Sequence, residues 1–144
     1  MQMNPSPSSN ANAPARKIET PLPVKVIMID LDGTLLDTAE DLALSANLML
    51  KDLNMPEQST ATIRSYIGKG IQKLVKRTLT GQLDGEPDDA LFAKALPIYE
   101  KHYADNLSLN TRPYPGVVEG VAALQQAGFK LACITNKAEA FTLP

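Results

Sequence analysis

Two aspartates, Asp30 and Asp32, stand where a run of aliphatic residues stops, and Gly33 follows them. Carboxylates at the end of an apolar strand are costly unless a cation meets them. Side chains two positions apart on extended chain point the same way, so both acids address one site. In an open parallel sheet that site lies outside the carboxyl ends of the strands, where ligands bind. Gly33 lets the chain turn out of the sheet at little steric cost. Hard oxygen ligands with room for water suit Mg2+, which makes Asp30 and Asp32 candidate ligands of that ion. The competing reading is an Asp-Gly-Thr turn with solvated acids, and D-x-D-G alone does not separate the two. A calcium loop is excluded by spacing, because Leu35 occupies the place of its glycine. Neither G-x-G-x-x-G after the strand nor G-x4-G-K-[ST] occurs, so the dinucleotide and P-loop signatures are absent.

Elements that would hold these residues can be read from periodicity. Residues 24–29 are nearly continuous in aliphatic side chains, which predicts a strand of a parallel sheet covered on both faces. Thr38-x-x-Asp41 has the pattern of a capping box, and Leu42, Ala46, Met49 and Leu53 follow at helical spacing. Asn54-Met55-Pro56 should stop that helix. A second helical pattern opens near Ser59, with Ile63 and Ile67, and resumes at Ile71, Leu74, Val75 and Leu79. Gly68-Lys69-Gly70 interrupts it. Residues 88–103 predict a further helix with Leu91, Ala95, Ile98 and His102 on one side, kinked or restarted at Pro97. Residues 107–116 read as loop. Val117, Val121 and Leu124 mark a short helix with Gly128 at its C′ position. Residues 129–135 read as a second buried strand, and Asn136, with Glu139 three residues on, as the cap of a last helix.

Composition narrows the function. A chain of 144 residues, 44% hydrophobic and 21% charged, is sized and built like one globular domain. Fourteen basic against 16 acidic residues leave a net charge of −2, which offers no footprint for nucleic acid and no basic block for a membrane surface. No apolar run approaches the roughly 20 residues of a membrane span. One cysteine and one histidine rule out a disulfide framework, a zinc site and a Ser-His-Asp or Cys-His enzyme. Cysteine usage suits a reducing, cytoplasmic setting, with Cys133 in "LACIT" expected as a buried thiol. Residues 1–22, rich in proline, serine and asparagine, should form a disordered tail without the apolar segment of a secretory signal.

"DLDGTLLDT" resembles the first motif of the haloacid dehalogenase superfamily, D-x-D-G-T-[LV]-x-D, and "CITN" is similar to its second. The longer stretches "DLDGTLLDTAEDLALSANLMLKDLNMP" and "RPYPGVVEGVAALQQAGFKLACITNK", with "YIGKG" between them, resemble bacterial phosphoglycolate phosphatases. The resemblance implies an α/β fold: a partial doubly wound, Rossmann-like parallel sheet with an inserted α-helical cap, the C-terminal part of the core missing. Residues 23–38 and 111–144 would be that partial core and residues 39–110 the cap. It implies an Mg2+-dependent phosphatase of 2-phosphoglycolate or a similar small phosphorylated metabolite. Asp30 would be the nucleophile and Asp32 the acid and base. The Asp30 carboxylate and the Asp32 carbonyl would hold Mg2+. Thr135 and the Asn136 N–H would bind the phosphoryl group, where the plainer alternative is a helix cap. An acid at Asp32 favours phosphoryl transfer over dehalogenation.

Gly68, Lys69 and Gly70 form a candidate substrate loop, with exposed N–H groups and a cation suited to a small carboxylate; they equally suit a helix break. Lys137 follows the second motif and receives no role. The family's later lysine and its acidic G-D-x-x-x-D pair are not in this sequence. The chain therefore reads as an N-terminal fragment with negligible turnover by itself. The alternatives are a phosphosugar mutase of the β-phosphoglucomutase kind and a non-catalytic remnant.

Overall fold

A computed structural model describes residues 24–143, so the tail expected over residues 1–22 lies outside the described residues. The described residues open with β1 (Val26–Ile29) and β2 (Leu36–Asp37), then run through the helices α1 (Ala39–Asp52), α2 (Thr60–Arg64), α3 (Gly70–Thr80) and α4 (Asp89–Asp105). The chain returns through β3 (Arg112–Pro113), α5 (Val117–Gln126), β4 (Lys130–Cys133) and α6 (Glu139–Thr142). β1 and β4 pair in parallel, with Ile29 opposite Cys133, while β2 and β3 form a short antiparallel ribbon.

The four consecutive helices carry the apolar core. Leu42, Ala46, Met49 and Leu50 of α1 meet Ile63 of α2, Leu74, Val75 and Leu79 of α3, and Ala95, Tyr99 and Tyr103 of α4. The end of α1 and the start of α4 follow their local sequence. Asn54, at φ +55°, closes α1 as the Met55 and Asn54 N–H groups donate back to Leu50 and Lys51, the arrangement of a Schellman turn. The Asp88 carboxylate accepts from the N–H groups of Ala90 and Leu91 and so starts α4. The buried Arg77 guanidinium donates to the carbonyls of Tyr66 and Leu83, fastening the loops at both ends of α3.

Several expectations need correction. α4 runs unbroken through Pro97, which is exposed, so the proline ring and its missing N–H face water. The capping box at Thr38 does not form: its φ −105°, ψ 1° keeps the hydroxyl off the helix N–H groups, and Asp37 Oδ1 accepts from Ala39 N at 3.3 Å instead. Asp41, the other half of that pattern, is spent elsewhere. Its buried carboxylate accepts from the backbone N–H groups of Asn110 and Thr111 and from both their side chains, at 2.7–3.1 Å. The stretch read as loop over residues 107–116 contains β3, whose partner β2 is distant in sequence.

β1 and β4 are the expected parallel strands, yet they are not covered on both faces. Val26 and Met28 are 51% and 64% exposed, and Cys133, expected as a buried thiol, is exposed. Among the described residues β1 has one neighbouring strand, and no second layer lies over the face that Val26 and Met28 present. Asn136 does not cap the last helix, which starts at Glu139 after Ala138.

Candidate active site

Parallel pairing decides what meets what. Because Ile29 lies opposite Cys133, the chain leaves β1 and β4 on the same edge, and Asp30 emerges beside the segment of Thr135, Asn136 and Lys137. Beyond Asp30 the backbone folds tightly: Leu35 and Leu36 donate to the Leu31 carbonyl, and Gly33 N donates to the Leu36 carbonyl at 2.8 Å. Gly33 holds φ +79°, which a side chain would strain. This turn returns Asp32 to the strand end.

One cavity of about 30 Å³ collects these residues. Its polar wall is Asp30, Asp32, Thr135, Asn136 and Lys137. Its other wall comes from the helical block: Leu42, Ile67, Gly68, Gly70, Ile71, Leu74 and Tyr103. Gly68 and Gly70 of the candidate substrate loop thus face the acids, whereas Lys69 is exposed and does not line the cavity. The loop touches the opposite wall directly. Asn136 Nδ2 donates to the Gly68 carbonyl at 3.3 Å, and a Cβ on Gly70 would stand 3.3 Å from the Asn136 carbonyl oxygen. Both glycines have positive φ, +112° and +77°, so the close approach and the backbone shape each favour glycine.

Thr135 Oγ1 accepts from Lys137 N at 3.1 Å, which orients the hydroxyl and leaves its own hydrogen to donate elsewhere. Two further residues escaped the sequence reading. Lys137 places its ammonium 3.3 Å from Asp32 Oδ1 and donates to the Tyr103 hydroxyl oxygen. Tyr103 lies in α4, and burial, followed by the charges of Asp32 and Asp41, pushes its phenol well above the ordinary tyrosine range. Its spacing from Tyr99, four residues back, was the available signal: such pairs share a helix face.

Asp30 and Asp32 fit an Mg2+ ion, which takes one or two protein carboxylates and keeps several waters. The Asp32 carboxylate is engaged by Lys137, and the family resemblance implies the Asp30 carboxylate and the Asp32 main-chain carbonyl as the ligands. No group of three or more His, Cys, Asp or Glu side chains able to hold a metal occurs among the described residues.

The family description "haloacid dehalogenase-like hydrolase" matches residues 27–143, most of the chain. This chain belongs to that family. The phosphoglycolate phosphatase of Nitrosospira multiformis is 65% identical over 124 residues, covering 86% of this chain and 55% of that protein. The phosphoglycolate phosphatase of Thiobacillus denitrificans is 57% identical over the same shares. A crystal structure described as a predicted phosphoglycolate phosphatase from Haemophilus somnus 129PT superposes with a TM-score of 0.71 at 37% identity, covering 80% of this chain and 52% of that one. The chain spans about half the length of the curated relatives it matches. The α/β class and the partial parallel sheet expected from sequence agree with these haloacid dehalogenase-like structures.

Proposed function

We propose that this chain carries the nucleophile, the acid and the phosphoryl-binding residues of an Mg2+-dependent phosphatase acting on 2-phosphoglycolate or a similarly small phosphate monoester. The observation that carries this reading is a cavity lined together by Asp30, Asp32, Thr135 and Asn136, which follow two neighbouring strand ends. The names of the two bacterial relatives support the substrate class.

Phosphate monoesters hydrolyse extremely slowly in water, so dividing the reaction into two covalent steps is an effective strategy. Asp30 attacks phosphorus and becomes an aspartyl-phosphate as the P–O bond to the alcohol breaks. Asp32 gives its proton to the departing alkoxide and then takes one from the water that cleaves the aspartyl-phosphate. The Thr135 hydroxyl donates to a phosphoryl oxygen, its orientation set by Lys137 N. The Asp30 carboxylate and the Asp32 carbonyl would hold Mg2+, which when bound would supply positive charge against the phosphoryl oxygens.

The helical residues 39–110 act as a cap. A cavity of about 30 Å³ holds roughly one or two waters, so substrate enters only when the cap swings away. The antiparallel ribbon β2–β3 is the hinge, since both crossings between the two parts pass through it. Apart from the Tyr103 hydroxyl, which Lys137 engages, the cap wall of Leu42, Ile67, Ile71 and Leu74 offers no side-chain donor for sugar hydroxyls, which favours a small ester over a phosphosugar. The exposed thiol of Cys133 accords with a reducing, cytoplasmic setting. The lysine and the acidic pair that the family resemblance calls for are not among the described residues, and we assign the activity to the protein that supplies them.

Two measurements test this. Beryllofluoride with Mg2+, a phosphoryl mimic, should seat on the Asp30 carboxylate; a mimic bound elsewhere would overturn the assignment. Full-length protein should release inorganic phosphate from 2-phosphoglycolate without isomerising β-glucose 1-phosphate, whereas isomerisation without release would replace the phosphatase by a mutase.

A further inference from the structure

Lys137 touches both an acid of the first motif and the helical block. Its side chain is 8% exposed and that of Asp32 17%, so the ion pair at 3.3 Å is largely removed from water. The same ammonium donates to the Tyr103 oxygen and stands 4.8 Å from the ring centroid. Tyr103 in turn meets Phe141 of α6 with ring centroids 5.1 Å apart, and Tyr99 at 5.9 Å. Lys137 and Phe141 thus grip one ring of α4 from a single segment. Burial keeps Tyr103 a phenol, so its oxygen meets the ammonium as a neutral acceptor.

An ion pair strengthens as water leaves, and swinging α4 away would both strip Lys137 of Tyr103 and let water reach Asp32. We propose that Tyr103 and Lys137 form a closure latch, in which seating α4 holds the Lys137 ammonium against Asp32 and orients that carboxylate only in the closed form. Lys137 is then a positioning residue. The inference rests on the phosphatase reading for the purpose of Asp32, and it explains how an acid on a sparsely packed strand end keeps one orientation.

Nuclear magnetic resonance of the 144-residue chain with 13C-carboxyl-labelled aspartate tests the latch. Lys137→Met retains the stem, Tyr103→Phe retains the ring and Lys137→Arg retains the charge. The first two should each move the Asp32 carboxyl signal and speed amide exchange at Phe141 and Leu143 roughly tenfold, with Met49, Leu50 and Val75 amides as protected as before. Lys137→Arg should return both readouts toward the parent, and Tyr103→Phe added to Lys137→Met should do nothing more. An unmoved Asp32 signal in Lys137→Met, a silent Tyr103→Phe, or faster exchange spread evenly over the helices would each overturn the latch. These readouts require no turnover, so absent phosphatase activity in full-length protein would count against the phosphatase reading alone.

Discussion

Helices α1–α4 share one continuous apolar core, with Ala46, Met49, Ile63, Val75, Ala95 and Tyr99 fully buried. Strands β1 and β4 and helix α5 bury no residue completely. The acids proposed to do the chemistry belong to the second, sparsely packed part, and the wall they face belongs to the first. Order at the site is therefore borrowed. It comes through Asn136 on Gly68, Lys137 on Tyr103, and Phe141 on Tyr103, each a contact between a loosely held segment and a firmly held one. A reactive group on a strand end needs such support, because a small displacement of a catalytic group costs rate steeply.

The largest expected break in this comparison is chemical and leaves the packing alone. In full-length protein Asp30→Asn should lower phosphate release by about four orders of magnitude or more. Asp30 is exposed, so the denaturation midpoint should stay where it was; an unfolded variant would show that the acid serves the fold.

Next comes the packing contrast itself. Tyr99→Ala should cost about 4 kcal/mol of unfolding free energy by the cavity it leaves, whereas Met28→Ala on the open face of β1 should cost about 0.5 kcal/mol or less. Urea titration of both variants measures the difference, and equal losses would erase the distinction between the two parts.

Asp41 sharpens the boundary between them, because its carboxylate joins the start of α1 to the returning strand. Asp41→Ala should cost about 3 kcal/mol, as it leaves the Asn110 and Thr111 donors without their acceptor. Burial raises this carboxyl, but the bonds from Thr111 and Asn110 together outweigh burial and hold it below the ordinary aspartate value. Its contribution is thus complete above about pH 4 and lost as pH falls through the lower folded value. Stability against pH should lose that acid limb in Asp41→Asn.

The smallest effect should come from Arg64→Ala. That residue pairs with Asp37 of β2 at 2.9 Å, but both side chains are well exposed, so the loss should be about 0.5 kcal/mol or less. A larger loss in the same titration would make the pair a structural part of the hinge.

Much of this was legible in the residues. The strand ahead of Asp30, the turn at Gly33, the helical stripe of α1 and the break at Gly68–Gly70 all rest on local backbone geometry. Such features repeat at the period of a strand or a helix, and the sequence carries that period openly. The misreadings share a cause as well. Asp41 looked like half of a capping box because that pattern is local, yet its partners lie 69 and 70 residues away. Strand burial was overestimated because an apolar run records what a face could cover, and the covering layer is a separate matter.

By itself the sequence determined the acids, their separation, the helix stripes and the membership that the first motif signals, since each depends on neighbours a few residues apart. Tertiary structure alone decided that Thr135 and Asn136 come beside Asp30, that Gly68 and Gly70 close over them, and that Lys137 reaches Tyr103. Those meetings follow from parallel register and from how the helical block seats on the strand ends. No periodicity encodes a contact between segments that meet only when the whole chain has packed.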